Sequence, residues 1–163
     1  MRRLCSMILL ATLLLSGCAP KSGFFSEDIR YQSALAHTKK GEIYNSLEMK
    51  ASIVATYLNC TIMQCNNKNE EVFLVAIYID EDSSDKSKQG LYNKSFLLTL
   101  NGKKPKSIQP LDYYDDLIKA APFRNRWSKY YIVKFDKVKS QSLTMAYAHQ
   151  SYGKVTLVFA KDF

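Results

Sequence analysis

The sequence predicts a mainly β protein, an antiparallel β-sandwich of six to seven strands with a short N-terminal helix. Three observations carry this reading. Apolar and polar residues alternate at period two along residues 47–57, 129–135, 143–149 and 155–159. Residues 72–79 form an unbroken apolar run rich in β-branched and aromatic side chains, the pattern of a central strand covered on both faces. Turn signals separate these segments, among them Asn101-Gly102 and Gln150-Ser151-Tyr152-Gly153.

The chain opens with Arg2 and Arg3, then an apolar stretch over residues 4–15 broken only by Cys5, Ser6 and Thr12. A helix needs about 20 apolar residues to span a bilayer. A shorter core behind a positive start, ending in small residues, reads as an export signal. The stretch Leu15-Ser16-Gly17-Cys18 closes it and resembles the lipobox of bacterial lipoproteins. The resemblance implies cleavage between Gly17 and Cys18, lipid on the Cys18 thiol and acylation of its amine. It implies a lipid-anchored protein of a bacterial cell envelope, facing the periplasm or the outside. Ala19 follows the cysteine where an aspartate would favour inner-membrane retention in enteric bacteria, so the expected membrane is the outer one. The division is then a signal peptide over residues 1–17, a lipidated tether over 18–25 and one domain over 26–163.

Removing residues 1–17 leaves 146 of the 163, enough for one domain with a real core. The signal takes two arginines and no acid from a net charge of +8, leaving +6. That balance suits contact with acidic headgroups or glycans, and equally suits an ordinary exported protein. The lysines are scattered, and no nucleic-acid motif accompanies them.

Pro20, Ser22 and Gly23 mark the tether. Ser26 can cap a helix, Glu27 and Asp28 suit its start, Lys39 and Lys40 its end, and Gly41 a stop, so a helix is expected over about 27–40. Leu47, Met49, Ala51, Ile53, Ala55 and Tyr57 should share the buried face of a long strand. Of four cysteines, Cys5 leaves with the signal and Cys18 is lipidated. Cys60 and Cys65 remain, in a compartment that permits disulfides. A bridge between them would staple a turn before the next strand and add about 2 kcal/mol or less. A metal centre would need more ligands nearby, and a redox pair normally has two residues between its cysteines.

After the apolar run comes Asp80-Glu81-Asp82-Ser83-Ser84-Asp85. It lacks the turn glycine and later glutamate of a calcium loop, so a solvated acidic loop is expected. Phe96, Leu98 and Leu100 share a face of the next strand. Residues 103–110 hold two prolines and read as a loop or edge segment. Residues 111–121 read as a short helix ending before Pro122. Trp127, Lys129, Tyr131, Val133 and Phe135 should face one way and Tyr130 and Ile132 the other. The last two strands should pair as a hairpin.

No G-x-S-x-G turn or phosphate loop is present, and His37 and His149 are the only histidines. No catalytic residue, metal ligand or cofactor is therefore expected. The adjacent acids Asp115 and Asp116 read as exposed helix residues. The richest signal is tyrosine, eleven in all. Most fall at regular strand positions. Tyr113, Tyr114 and Tyr152, with Tyr92 behind them, fall in loops or turns and are candidates for an exposed aromatic binding patch.

The lipobox and the strand-rich body together are similar to the small immunoglobulin-like lipoproteins of epsilon-class proteobacteria. That resemblance implies an immunoglobulin-like sandwich. The chain departs from the immunoglobulin cysteine pattern, because Cys60 and Cys65 stand too close to bridge two sheets. The expected function is a non-enzymatic binding or interaction module of the envelope, its partners the membrane through Cys18 and an envelope protein, glycan or host ligand. The alternatives are a surface adhesin for host or matrix molecules, and an accessory protein of envelope biogenesis or a hydrolase.

Overall fold

A computed structural model describes residues 29–61 and 69–161. The export signal, Cys18, the tether and Cys65 lie outside them, and so does the proposed Cys60–Cys65 bridge. The described elements are helix α1 (Ile29–Ala36), strands β1 (Thr38–Asn45), β2 (Glu48–Tyr57), β3 (Glu70–Ile79), β4 (Phe96–Leu100) and β5 (Ser107–Leu111), a one-turn helix α2 (Asp116–Lys119), and strands β6 (Lys129–Asp136), β7 (Ser142–His149) and β8 (Gly153–Ala160). The protein is mainly β, with two antiparallel sheets and short helices. One sheet runs β1-β2-β3-β6-β5 and the other β4-β7-β8.

One core fills the space between the sheets. Ile53, Phe73, Val75 and Phe135 from the first sheet meet Leu100, Met145, Tyr147 and Phe159 from the second. Phe73 contacts Tyr57, Phe135 and Phe159 at centroid distances of 5.0, 6.0 and 5.2 Å. A second cluster lies on the outer face of the five-stranded sheet, where Val72, Leu74, Tyr130 and Ile132 are covered by Ile118 and Ala121. β3 is therefore buried on both faces, as its apolar run requires. Its inner face meets the second sheet, and its outer face meets the α2 segment.

Among the described residues the strands number eight, where six to seven were expected. The missed one is the edge strand β1. The expected helix over 27–40 stops at Ala36, and residues 38–45 form β1 instead. Gly41 is a close-approach position within β1: a Cβ there would lie 2.3 Å from Val155 Cγ2 of β8. The lysines that look like a helix end are exposed residues of this strand. Of the two readings left open for residues 103–110, loop or edge segment, the structure takes the second: β5 is an edge strand, and its Pro110 sits on the sheet edge, where a missing N–H is tolerated. Leu111 belongs to β5, so only residues 116–119 of the expected helix over 111–121 are helical.

Leu47 is a turn residue, 97 % exposed, rather than part of the buried stripe. Ile43 pairs with Ala51 and Tyr44 with Met49, so β2 carries one extra residue, Lys50. This bulge breaks the period of two and puts Met49 on the outer face. Trp127 precedes β6 and lies outside the alternating face assigned to it. Asn101 and Gly102 take φ of 47° and 79°. Leu100 and Lys103 exchange backbone hydrogen bonds across them, which makes a two-residue turn of the kind Asn-Gly favours.

Candidate functional site

The α2 segment covers only part of the outer face of the five-stranded sheet. Where cover stops, the strand register lays Glu42, Ser52 and Tyr78 side by side across β1, β2 and β3. Lys40 and Val54 form the next row. These residues and Met49 floor a groove of about 520 Å³, walled by Phe123, Asn125 and Trp127. Glu42 accepts from Tyr44 Oη at 2.5 Å and pairs with Lys40 Nζ at 2.7 Å. The Lys40 and Tyr44 donors hold the Glu42 carboxyl below its usual range.

The wall is a built feature. Asn125 Oδ1 accepts from the N–H groups of Trp127 and Ser128 at 3.0 and 2.8 Å. Tyr130 Oη bonds both the N–H and the carbonyl of Asn125. Phe123 has φ of 56°, a strained value for a bulky residue that persists only where its surroundings fix it. This frame fixes the backbone that carries Phe123, 54 % exposed, and Trp127, 80 % exposed. Exposed aromatics on a fixed loop are uncommon in a protein whose other rings mostly pack inward.

The wall is also a ridge. Phe123, Asn125 and Trp127 line the groove on one side. Arg126 and Ser128 line a second groove of about 570 Å³ on the other, with Lys86, Lys129, Tyr130 and Tyr131. Arg124 donates from Nε to Tyr113 Oη at 2.9 Å, and its guanidinium stands 4.5 Å from that ring's centroid.

Of the residues singled out in the sequence, Tyr113 and Tyr114 are neighbours, with centroids 5.6 Å apart. Tyr113 lines the second groove, and Tyr114 is exposed. Tyr152 belongs to the β7–β8 turn of the other sheet, stacked on His149 at 4.2 Å. The structure thus keeps two of the three together and adds Phe123 and Trp127. Sequence reading missed these because Trp127 continues the alternation of β6.

The remaining polar groups have structural roles. His149 Nδ1 accepts from the N–H groups of Ser151 and Tyr152 and closes the hairpin turn. In the acidic loop, Asp82 accepts from the Ser83 and Gly90 N–H groups, and Asp85 from Ser87. Among the described residues, no group of three or more His, Cys, Asp or Glu is placed to hold a metal ion.

Glu71 of β3 is fully buried. It accepts from Tyr57 Oη at 2.6 Å, Lys161 Nζ at 2.6 Å and the Val138 N–H at 3.0 Å. Lys161 Nζ also donates to the Val138 carbonyl. Burial alone would push the Glu71 carboxyl up. The Lys161, Tyr57 and Val138 donors outweigh burial and hold it below its usual range. Burial and the same carboxylate push the Tyr57 phenol far up. Lys137 Nζ also stands 3.6 Å from Glu71 Oε2, and the cluster locks the end of β8 to β3 and to the β6–β7 link. Comparison with protein-family models, curated proteins and solved structures found no match to this chain.

Proposed function

We propose that this protein is a non-enzymatic binding module of a bacterial cell envelope, lipid-anchored through Cys18, and that it holds a ring-bearing ligand such as a glycan in the groove walled by Trp127. The observation that carries this reading is the fixed display of Trp127 and Phe123 over a floor of Glu42, Ser52 and Tyr78. Apolar ring faces stack on aromatics, while carboxylate, hydroxyl and amide groups meet a hydroxyl rim. Rigid aromatics lose little entropy on binding.

The fold proposed here is an immunoglobulin-like sandwich with one added strand. The order β2-β3-β6-β5 and β4-β7-β8 corresponds to the A-B-E-D and C-F-G sheets of that architecture, with β1 extending the A edge. That correspondence supports the reading, although fold alone assigns no ligand.

Trp127 is the only tryptophan, so intrinsic tryptophan emission reports on this groove alone. Titration of the full chain with soluble envelope glycan fragments is expected to shift that emission to the blue. Trp127→Ala should weaken binding, read by calorimetry, by about tenfold or more, with an unchanged melting temperature. Unaltered emission across a panel of neutral glycan fragments would refute the glycan reading.

A further inference from the structure

The groove behind the ridge carries charge that the fold does not use. Lys50, Lys106, Lys119 and Lys161 each pair with a carboxylate. Among the described residues no carboxylate lies within ion-pair distance of Lys86, Arg126 or Lys129, and all three line this groove. The one acid on the lining, Asp112, bonds its own turn, with Oδ1 accepting the Tyr114 N–H at 2.9 Å.

Arg124 donates from Nε to Tyr113 Oη at 2.9 Å, and Arg126 lines the groove together with that tyrosine. The Arg124 hydrogen bond, with a smaller contribution from Arg126, holds the Tyr113 phenol below its usual range. Three cations, Lys86, Arg126 and Lys129, against the single carboxylate of Asp112 leave the lining net positive, a site ready for an anion.

The remainder of the lining is aromatic. Tyr130 and Tyr131 of β6 are buried, so the rings open to this groove are Tyr92, which packs edge-on against Tyr131 with centroids 5.8 Å apart, and the half-buried Tyr113. Gln89 and Ser128 add hydrogen-bonding groups. A bare inorganic anion would leave the tyrosine faces unused. A ring with apolar faces, a hydroxyl rim and one acidic group uses all of them.

We propose that this second groove binds an acidic sugar, a sugar phosphate or a uronic acid, with Arg126, Lys86 and Lys129 holding the oxyanion and the Tyr92 and Tyr113 rings carrying the sugar. Arginine suits this role because its planar fork matches both phosphate and carboxylate.

The test is calorimetric titration of the full chain with glucose 6-phosphate, glucuronate, glucose and inorganic phosphate, at low and high salt. At least one of the two acidic sugars should bind, with affinity falling as salt rises, and glucose should not. Which one binds separates the phosphate source from the carboxylate source. Arg126→Ala and Lys129→Ala should each lower that affinity by about tenfold or more and leave the melting temperature unchanged. Trp127→Ala should bind the acidic sugar as wild type does, whatever it does to the neutral ligand, because Trp127 lines the other groove. No binding of either acidic sugar, equal affinity for glucose or for inorganic phosphate, undiminished affinity in Arg126→Ala, or loss of affinity in Trp127→Ala would each overturn the proposal.

Discussion

Glu71 shows how one residue in this protein links stability to pH. Its carboxyl titrates below its ordinary value because the Lys161, Tyr57 and Val138 donors favour the charged form. A carboxylate held low in the folded state contributes its full stabilisation above the unfolded value of about 4.3. That contribution is lost as pH falls through the depressed folded value. Glu71→Gln breaks a buried ion pair and should cost about 3–5 kcal/mol at neutral pH. The gap between wild type and variant should narrow on acidification. Denaturant melts at neutral and acid pH check this, and a gap independent of pH would show that the charge is not what stabilises the cluster. Nothing in the sequence marks Glu71 for this role. It stands at the start of an apolar run, and its partners come from positions 57, 138 and 161, which only folding brings together. His149 was more legible. The sequence shows a polar residue at a strand end before the Gln150-Ser151 turn, and folding adds that its Nδ1 accepts from the Ser151 and Tyr152 N–H groups.

At the scale of elements, β3 and β1 make opposite cases. β3 was readable because a strand apolar at every position must be covered on both sides. Leu74 and Val75 point to opposite faces and belong to different clusters, one under the α2 segment and one between the sheets. Burying an unpaired charge costs several kcal/mol, a large share of the about 5–15 kcal/mol that stabilises a domain. Leu74→Asp and Val75→Asp should therefore each abolish soluble folding. A near-native melting midpoint in either would show that its face is not packed as described. β1 was not readable, because Lys39, Lys40 and Gly41 look like the end of a helix. Gly41 instead lets the β8 side chains Val155 and Leu157 approach the β1 backbone. Gly41→Ala should cost about 1–3 kcal/mol through overpacking, since Val155 is branched at Cβ and cannot swing away. Combining it with Val155→Ala should recover part of that loss, because the two positions touch. Thermal melts of the two single variants and the double variant read the coupling, and strict additivity would show that the contact is not the cause.

For the whole molecule, the anchor and the body are argued from different kinds of information. The anchor is a local motif, so its test is local. Cys18→Ala should abolish labelling with palmitate and release the protein from membranes. A variant that still takes up label and still sediments with membranes would disprove the lipobox reading. The sequence by itself determined that the chain is mainly β and antiparallel, that Asn101-Gly102 turns, that residues 72–79 are central, and that β7 and β8 form a hairpin. These depend on side-chain period and turn chemistry, which neighbours in sequence express directly. Tertiary structure alone decided that residues 38–45 form a strand, that Met49 leaves the buried face at a bulge, and that residues 123–128 stand as a ridge between two grooves. Each of these depends on register and close approach between segments tens of residues apart. An edge strand gets its partner, and a loop its conformation, from contacts that no local period encodes.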